Sequence, residues 1–76
     1  RDGRLSFDAA PLPLVAADLS RYAGVKVSVA EDVRNRRFTG TLVIRDGKAA
    51  LRDLSQLMDL ELGRHGDGYR LEPRPR

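Results

Sequence analysis

Two stretches of this chain change hydrophobic period at the same point, thirty-five positions apart. Residues Ala17 to Val27 and Arg52 to Leu62 both contain Asp-Leu-Ser, at Asp18-Leu19-Ser20 and again at Asp53-Leu54-Ser55. In each copy the tripeptide closes an apolar stripe of helical spacing. Four residues follow, and apolar and polar positions then alternate with period two. Three shared letters are within the reach of chance, whereas a shared switch from helix to strand period constrains the fold. It predicts a compact α+β domain built from two βαβ units, with function carried by surface and edges. A solenoid also repeats at this length, but two copies are too few to stabilise one.

The rest of the chain fits that frame. Leu5 and Phe7 alternate with Arg4, Ser6 and Asp8, as in a short, half-buried strand near an edge. Pro11 and Pro13 suit a first helical turn, where a missing N–H costs nothing. The first helix is therefore expected to start between them and to bury Leu12, Val15, Ala16, Leu19 and Tyr22 or Ala23, with Gly24 ending it. Val25, Val27 and Val29 alternate with Lys26 and Ser28 and predict a strand with one buried, β-branched face. Glu31 to Arg36 is polar turn chemistry anchored by Val33. From Arg37 to Ile44 the side chains of Phe38, Gly40, Leu42 and Ile44 fall on one face and those of Thr39, Thr41 and Val43 on the other, with Gly40 suggesting a bulge or a close backbone approach.

Asp46 is placed to cap a second helix whose stripe is Ala50, Leu51, Leu54, Leu57 and Met58. Leu60 and Leu62 open a strand that turns back through Gly66-Asp67-Gly68 into Tyr69, Arg70 and Leu71, forming a terminal hairpin. Pro73 and Pro75 end the chain in a tail that is not expected to pair far into a sheet. The order is β-α-β-β-α-β-β, in a single domain over residues 1–76 with a core of about 4–71 and a tail of 72–76.

A chain of 76 residues buries only roughly 60–65% of the surface its unfolded form exposes, so modest stability is expected. There is no cysteine to supply disulfides or thiolate metal ligands, and no apolar run approaches the ~20 residues of a membrane span. With no initiator Met and no signal-like segment, the chain reads as an excised domain or mature fragment. Its net charge of +3 comes from twelve arginines and two lysines set against eleven acids, and only Arg34, Arg36 and Arg37 cluster. That cluster is either a solvated basic turn or a partner-facing patch. A nucleic-acid footprint normally adds aromatic or glycine platforms beside such cations.

Catalytic chemistry is not visible. His65 is the only histidine, so it would have to serve any metal site or serine triad alone. Ser6, Ser20, Ser28 and Ser55 have no local base. Asp18 and Asp53 are placed to pair with arginines on outer faces. Arg45-Asp46-Gly47-Lys48 lacks both the preceding glycine and the following Ser or Thr of a phosphate-binding loop. No enzyme activity, cofactor or metal is expected.

The residues do resemble a known family. Leu5-Ser6-Phe7-Asp8-Ala9-Ala10-Pro11-Leu12, with Leu14 and Val15, is similar to the opening of the secretin and TonB N-terminal (STN) domain. Leu19-Ser20-Arg21-Tyr22, followed by Val27-Ser28-Val29 and by Arg36-Arg37-Phe38-Thr39-Gly40, resembles one branch of it, the C-terminal periplasmic domain of FecR-type anti-sigma regulators. The likeness runs from about Arg4 to Leu71 and rests on order and spacing. The Arg21-Tyr22 pair departs from the receptor branch, which more often carries Gln-Thr or Gln-Ser before the glycine.

The resemblance implies two helices side by side between two small β-sheets. It also implies a periplasmic, non-enzymatic role, in an inner-membrane protein that controls a sigma factor and reads a TonB-dependent outer-membrane transducer of iron-siderophore signals. The partner is then the transducer's signalling domain, with no nucleic acid, no membrane contact by this fragment, and self-association open. Alternatives are the signalling domain of such a transducer, a secretin N-domain, or a small nucleic-acid-binding domain. Unpaired strand edges pair readily with partners, so the candidate contact residues are Arg34, Arg36, Arg37, Thr39 and Thr41, with the hairpin Leu60 to Leu71 as a rival edge. Tyr22 is read either as core with its hydroxyl at the rim or as a contact residue. Charge reversal at Arg36 and Arg37 is expected to weaken partner capture and leave the thermal midpoint nearly unchanged.

Overall fold

A computed structural model describes residues 3–75 and contains five strands and two helices. Strand β1 (Arg4–Pro11) leads into α1 (Leu12–Ala23), β2 (Val27–Val29), a 3-10 turn at Glu31–Val33, β3 (Arg37–Val43), α2 (Gly47–Leu57), β4 (Leu60–His65) and β5 (Gly68–Pro73). The expected order and the arrangement of two helices with two small sheets are present. β1 and β3 pair antiparallel as one sheet; β2, β5 and β4 form the other, in that order, with β2 parallel to β5. Each βαβ unit therefore divides its strands between the sheets, its helix carrying the chain from one to the other.

The repeat is exact where it matters for packing. Both helices begin at equivalent positions, Leu12 and Gly47, and both bury the same three places: Val15, Ala16 and Leu19 in α1, Ala50, Leu51 and Leu54 in α2. Each helix is followed by a left-handed residue at the same point, Gly24 (φ 68°) and Asp59 (φ 57°). Glycine tolerates this conformation for want of a Cβ, and aspartate is one of the few other residues that adopt it. The core joins both units, with Leu12, Leu19, Leu51, Leu54, Leu60 and Leu71 essentially inaccessible. Each such side chain contributes about 1.5–3 kcal/mol of burial.

Helix α1 has Pro11 at its N-cap and Pro13 in its first turn, as the prolines predict, while Asp46 Oδ1 caps α2 by accepting from the N–H groups of Lys48 (3.1 Å) and Ala49 (3.4 Å). Several details differ from expectation. β1 is not brief but runs to Pro11, opposite Arg37, and its ladder is continued by Leu12 N–H donating to the Arg36 carbonyl at 2.9 Å. The bulge lies in β1 between Phe7 and Ala10, with Ala9 at φ 52°, and not at Gly40. What lies close to Gly40 is a ring and not backbone: a Cβ there would meet the Phe38 side chain at 2.8 Å.

The valine face of β2 is half-buried and its ladder holds only Val27–Val29. β5 continues past Leu71 to Pro73, which pairs opposite Leu60 at the end of the strand, where no further N–H is needed.

Two residues placed in the helical stripes are in fact exposed, Tyr22 (54%) and Leu57 (66%). They are the same position of the repeat. Tracking the buried face of α2 through Ala50, Leu51, Leu54, Ser55 and Met58 leaves Leu57 about 90° off its centre at 3.6 residues per turn. Ala23 and Met58 take over the packing one residue later. Ser55 is buried and donates from Oγ to the Leu51 carbonyl at 2.8 Å, a bond within the helix that occupies its hydroxyl proton.

Candidate protein-binding surface

Four of the six sequence candidates gather along one side of β3. Arg36, Arg37, Phe38, Thr39, Gly40 and Thr41 line a groove of about 510 Å³ whose opposite wall is Leu57 and Met58 at the end of α2. Six consecutive residues can line one groove only where a strand presents its edge, since its side chains alternate between faces. β3 pairs with β1 alone, so among the described residues the other edge of Arg37–Val43 has no strand beside it.

The polar side chains here also work inside the domain. Arg36 Nη2 donates to the Met58 carbonyl at 2.8 Å, tying the start of β3 to the end of α2. Arg37 Nη1 donates to the Ala9 carbonyl (2.9 Å), and Thr39 Oγ1 accepts from the Ala9 N–H (2.9 Å). Those two side chains thus satisfy both backbone groups of the bulge residue, which the ladder itself leaves unpaired. Thr41 Oγ1 meets Ser6 Oγ at 3.0 Å across the sheet. A guanidinium has five N–H donors, so Arg36 and Arg37 retain donors toward solvent after these bonds.

Arg36 also borders a second hollow of about 400 Å³ with Asp59, Pro73, Arg74 and Pro75. Arg74 is fixed there by an ion pair from Nε to Asp59 (2.9 Å) and a hydrogen bond to the Leu60 carbonyl (3.1 Å). In sequence Leu57 and Met58 read as core and Arg74 as tail, whereas the structure sets all three beside Arg36. An apolar residue at the outer flank of the stripe, in the last turn of α2, was the available signal for Leu57.

The other candidates lie elsewhere. Arg34 pairs with Glu31 at 3.7 Å and borders a separate hollow between α1 and β2. Tyr22 stands at the end of α1 with the Arg21 guanidinium 5.6 Å above its ring, so it is neither core nor part of the β3 groove. At the hairpin, Arg70 Nη2 donates to His65 Nε2 at 2.9 Å, and Lys26 Nζ donates to Asp67 Oδ2 at 2.7 Å. That hydrogen bond, reinforced by the opposite charge, raises the Lys26 pKa above and lowers the Asp67 pKa below its ordinary value. Asp18 pairs with Arg21 at 3.5 Å; among the described residues Asp53 has no ion pair.

No group of three or more His, Cys, Asp or Glu side chains that could hold a metal ion occurs among the described residues. Nor, among them, is any helix long and apolar enough to cross a membrane.

The chain is thus a small α+β domain that divides its strands between two sheets and leaves the β3 edge unpaired among the described residues. The family model described as FecR, C-terminal, matches residues 4–67, and the chain belongs to that family. Two crystal structures of a candidate anti-sigma factor from Parabacteroides distasonis share the fold, with TM-scores of 0.80 and 0.79 at 17% identity. Each comparison covers 97% of this chain and 35% of that protein, so the chain spans about a third of its length. At this identity the likeness is one of fold. No protein of curated function matches the chain.

Proposed function

We propose that this chain is the periplasmic receiver domain of a FecR-type anti-sigma regulator. It binds the signalling domain of a TonB-dependent outer-membrane transducer and relays the arrival of an iron-siderophore or similar cargo toward a sigma factor. The observation that carries the reading is the FecR C-terminal match, which spans nearly all of the folded unit, from the first residue of β1 to the hairpin turn. A candidate anti-sigma factor with the same fold supports it. So do the chain's open strand edges, which suit contact between proteins. In this reading the domain is an STN relative without catalytic activity, and its partner is a protein.

The test is calorimetric titration of the chain with the isolated signalling domain of the transducer encoded beside its regulator. A one-to-one complex with a dissociation constant of about 10 μM or tighter is expected, within the range of transient signalling contacts. No complex at about 1 mM, or preferential binding to mixed oligonucleotides that weakens with salt, refutes the assignment.

A further inference from the structure

We infer that the open edge of β3 accepts an extended, acidic segment of the partner as an added strand. The inference rests on the receiver reading and commits it to one edge and one partner chemistry. Along Arg37–Val43, alternate N–H and C=O groups turn away from β1, and no described strand meets them. The groove beside that edge is long enough to be lined by six consecutive residues, and its far wall offers Leu57, 66% exposed, together with Met58. A strand laid there gains a backbone ladder and places alternate side chains on Leu57.

Charge selects the occupant. Arg36 and Arg37 stand at one end of the groove, and Arg36 also borders the hollow of Arg74. The one carboxylate in that hollow, Asp59, is already paired with Arg74. The end of the edge is therefore cationic, and a segment with carboxylates at that end is complementary. A second copy of this chain is a poor fit: antiparallel pairing of two β3 strands about Gly40 sets Arg36 and Arg37 near Arg45, and parallel pairing sets them near their own counterparts.

The other edges offer less. The outer edge of β1 is broken by the bulge at Ala9, β2 has only three ladder residues, and β4 borders neither of the two hollows that Arg36 lines.

The experiment titrates the isotope-labelled chain with a short capped peptide that alternates valine with threonine and ends in two aspartates, followed by amide NMR. Shifts confined to Arg37–Val43, Leu57 and Met58 are expected. Affinity falls roughly tenfold when the aspartates become lysines, when alternate peptide amides are methylated, or in Leu57→Lys. Leu14→Lys, at an exposed leucine (51%) of α1, leaves binding intact. Four results overturn the inference: no shift up to about 1 mM peptide, shifts on Arg4–Pro11, Val27–Val29 or Leu60–His65 instead, equal binding of the methylated peptide, or self-association of the chain through the same residues.

A second titration uses the transducer's signalling domain. If that domain binds through another edge, the β3 assignment fails and the receiver function stands. If the peptide seats on β3 and the signalling domain does not bind, the reverse holds.

Discussion

Arg36→Glu separates what the arginine turn does for the fold from what it does for a partner. Sequence alone treats Arg36 as a surface cation whose reversal leaves stability alone. The structure gives it a bond to the Met58 carbonyl in a part-buried position, closing β3 onto the end of α2. A hydrogen bond from a charged donor contributes about 1.5–3 kcal/mol when buried; half-exposed, roughly 1 is the appropriate figure. A carboxylate placed beside the C-terminal end of α2 adds an unfavourable interaction of about 0.3–1 kcal/mol with the helix dipole.

The expected destabilisation is therefore about 1.5–2 kcal/mol. With an unfolding entropy of about 2.1 cal/mol/K per residue, a chain of 76 residues loses roughly 6 °C of midpoint for each kcal/mol, so Arg36→Glu is expected to melt about 10 °C low. Arg37→Glu loses only an exposed bond to Ala9 and should shift the midpoint by about 3 °C or less. Thermal unfolding followed by circular dichroism reads both values. If Arg36→Glu melts within about 2 °C of the wild-type chain, the bond to Met58 is idle and the structural role assigned to Arg36 is wrong.

Three further outcomes can be checked on the same chain. Gly68→Ala drives a methyl into the Lys26 carbonyl oxygen (2.5 Å) and Cβ (2.6 Å), where backbone cannot yield, so a loss of about 1–3 kcal/mol is expected in urea unfolding. Gly66→Asn in the same turn, with open space around it and φ 60°, should cost under about 1 kcal/mol; equal losses would refute the packing argument. Leu54→Ala, in the repeated core position, should remove about 2–5 kcal/mol and leave the domain largely unfolded at 37 °C, a result checked by amide exchange.

The Lys26–Asp67 pair should show coupling in a double-mutant cycle only in a window of pH. Asp67, lowered, loses its contribution as pH falls through its folded pKa; Lys26, raised, keeps its contribution below the free-lysine range and loses it above the folded value. Coupling measured near neutrality should thus fall as the pH drops through the folded Asp67 value and weaken in about 1 M salt, and a coupling unchanged under both conditions contradicts the assignment.

Most of the architecture was legible because local signals agreed. A helix start between Pro11 and Pro13, another at Asp46, the stop at Gly24 and the period changes around them all named elements that are present. What the periodicity could not reveal is how the strands pair. A βαβ unit read locally suggests neighbours in one sheet, yet β1 joins β3 and β2 joins β5, pairings that depend on contacts across the repeat. The candidate surface was legible only in part for a related reason. Runs of polar residues mark a turn, but nothing in sequence distinguishes an arginine that reaches solvent from one that closes a backbone carbonyl some twenty residues away, as Arg36 does with Met58.

The repeat itself carries the argument one step further. Gly24 and Asp59 differ in chemistry and share a backbone state, while Tyr22 and Leu57 share a position and differ in surroundings. Tyr22 lies under Arg21 at the end of α1, and Leu57 lines a groove beside an open strand edge. A duplicated unit stabilises both copies with the same buried positions, so the residues free to diverge are those at the flank of each stripe. Exchanging them tests this directly: Tyr22→Leu should leave partner affinity and stability nearly unchanged, whereas Leu57→Tyr should alter affinity at unchanged stability, because only the second flank faces the edge. If both changes alter affinity equally, the contact surface wraps both helix ends and the single-edge account fails.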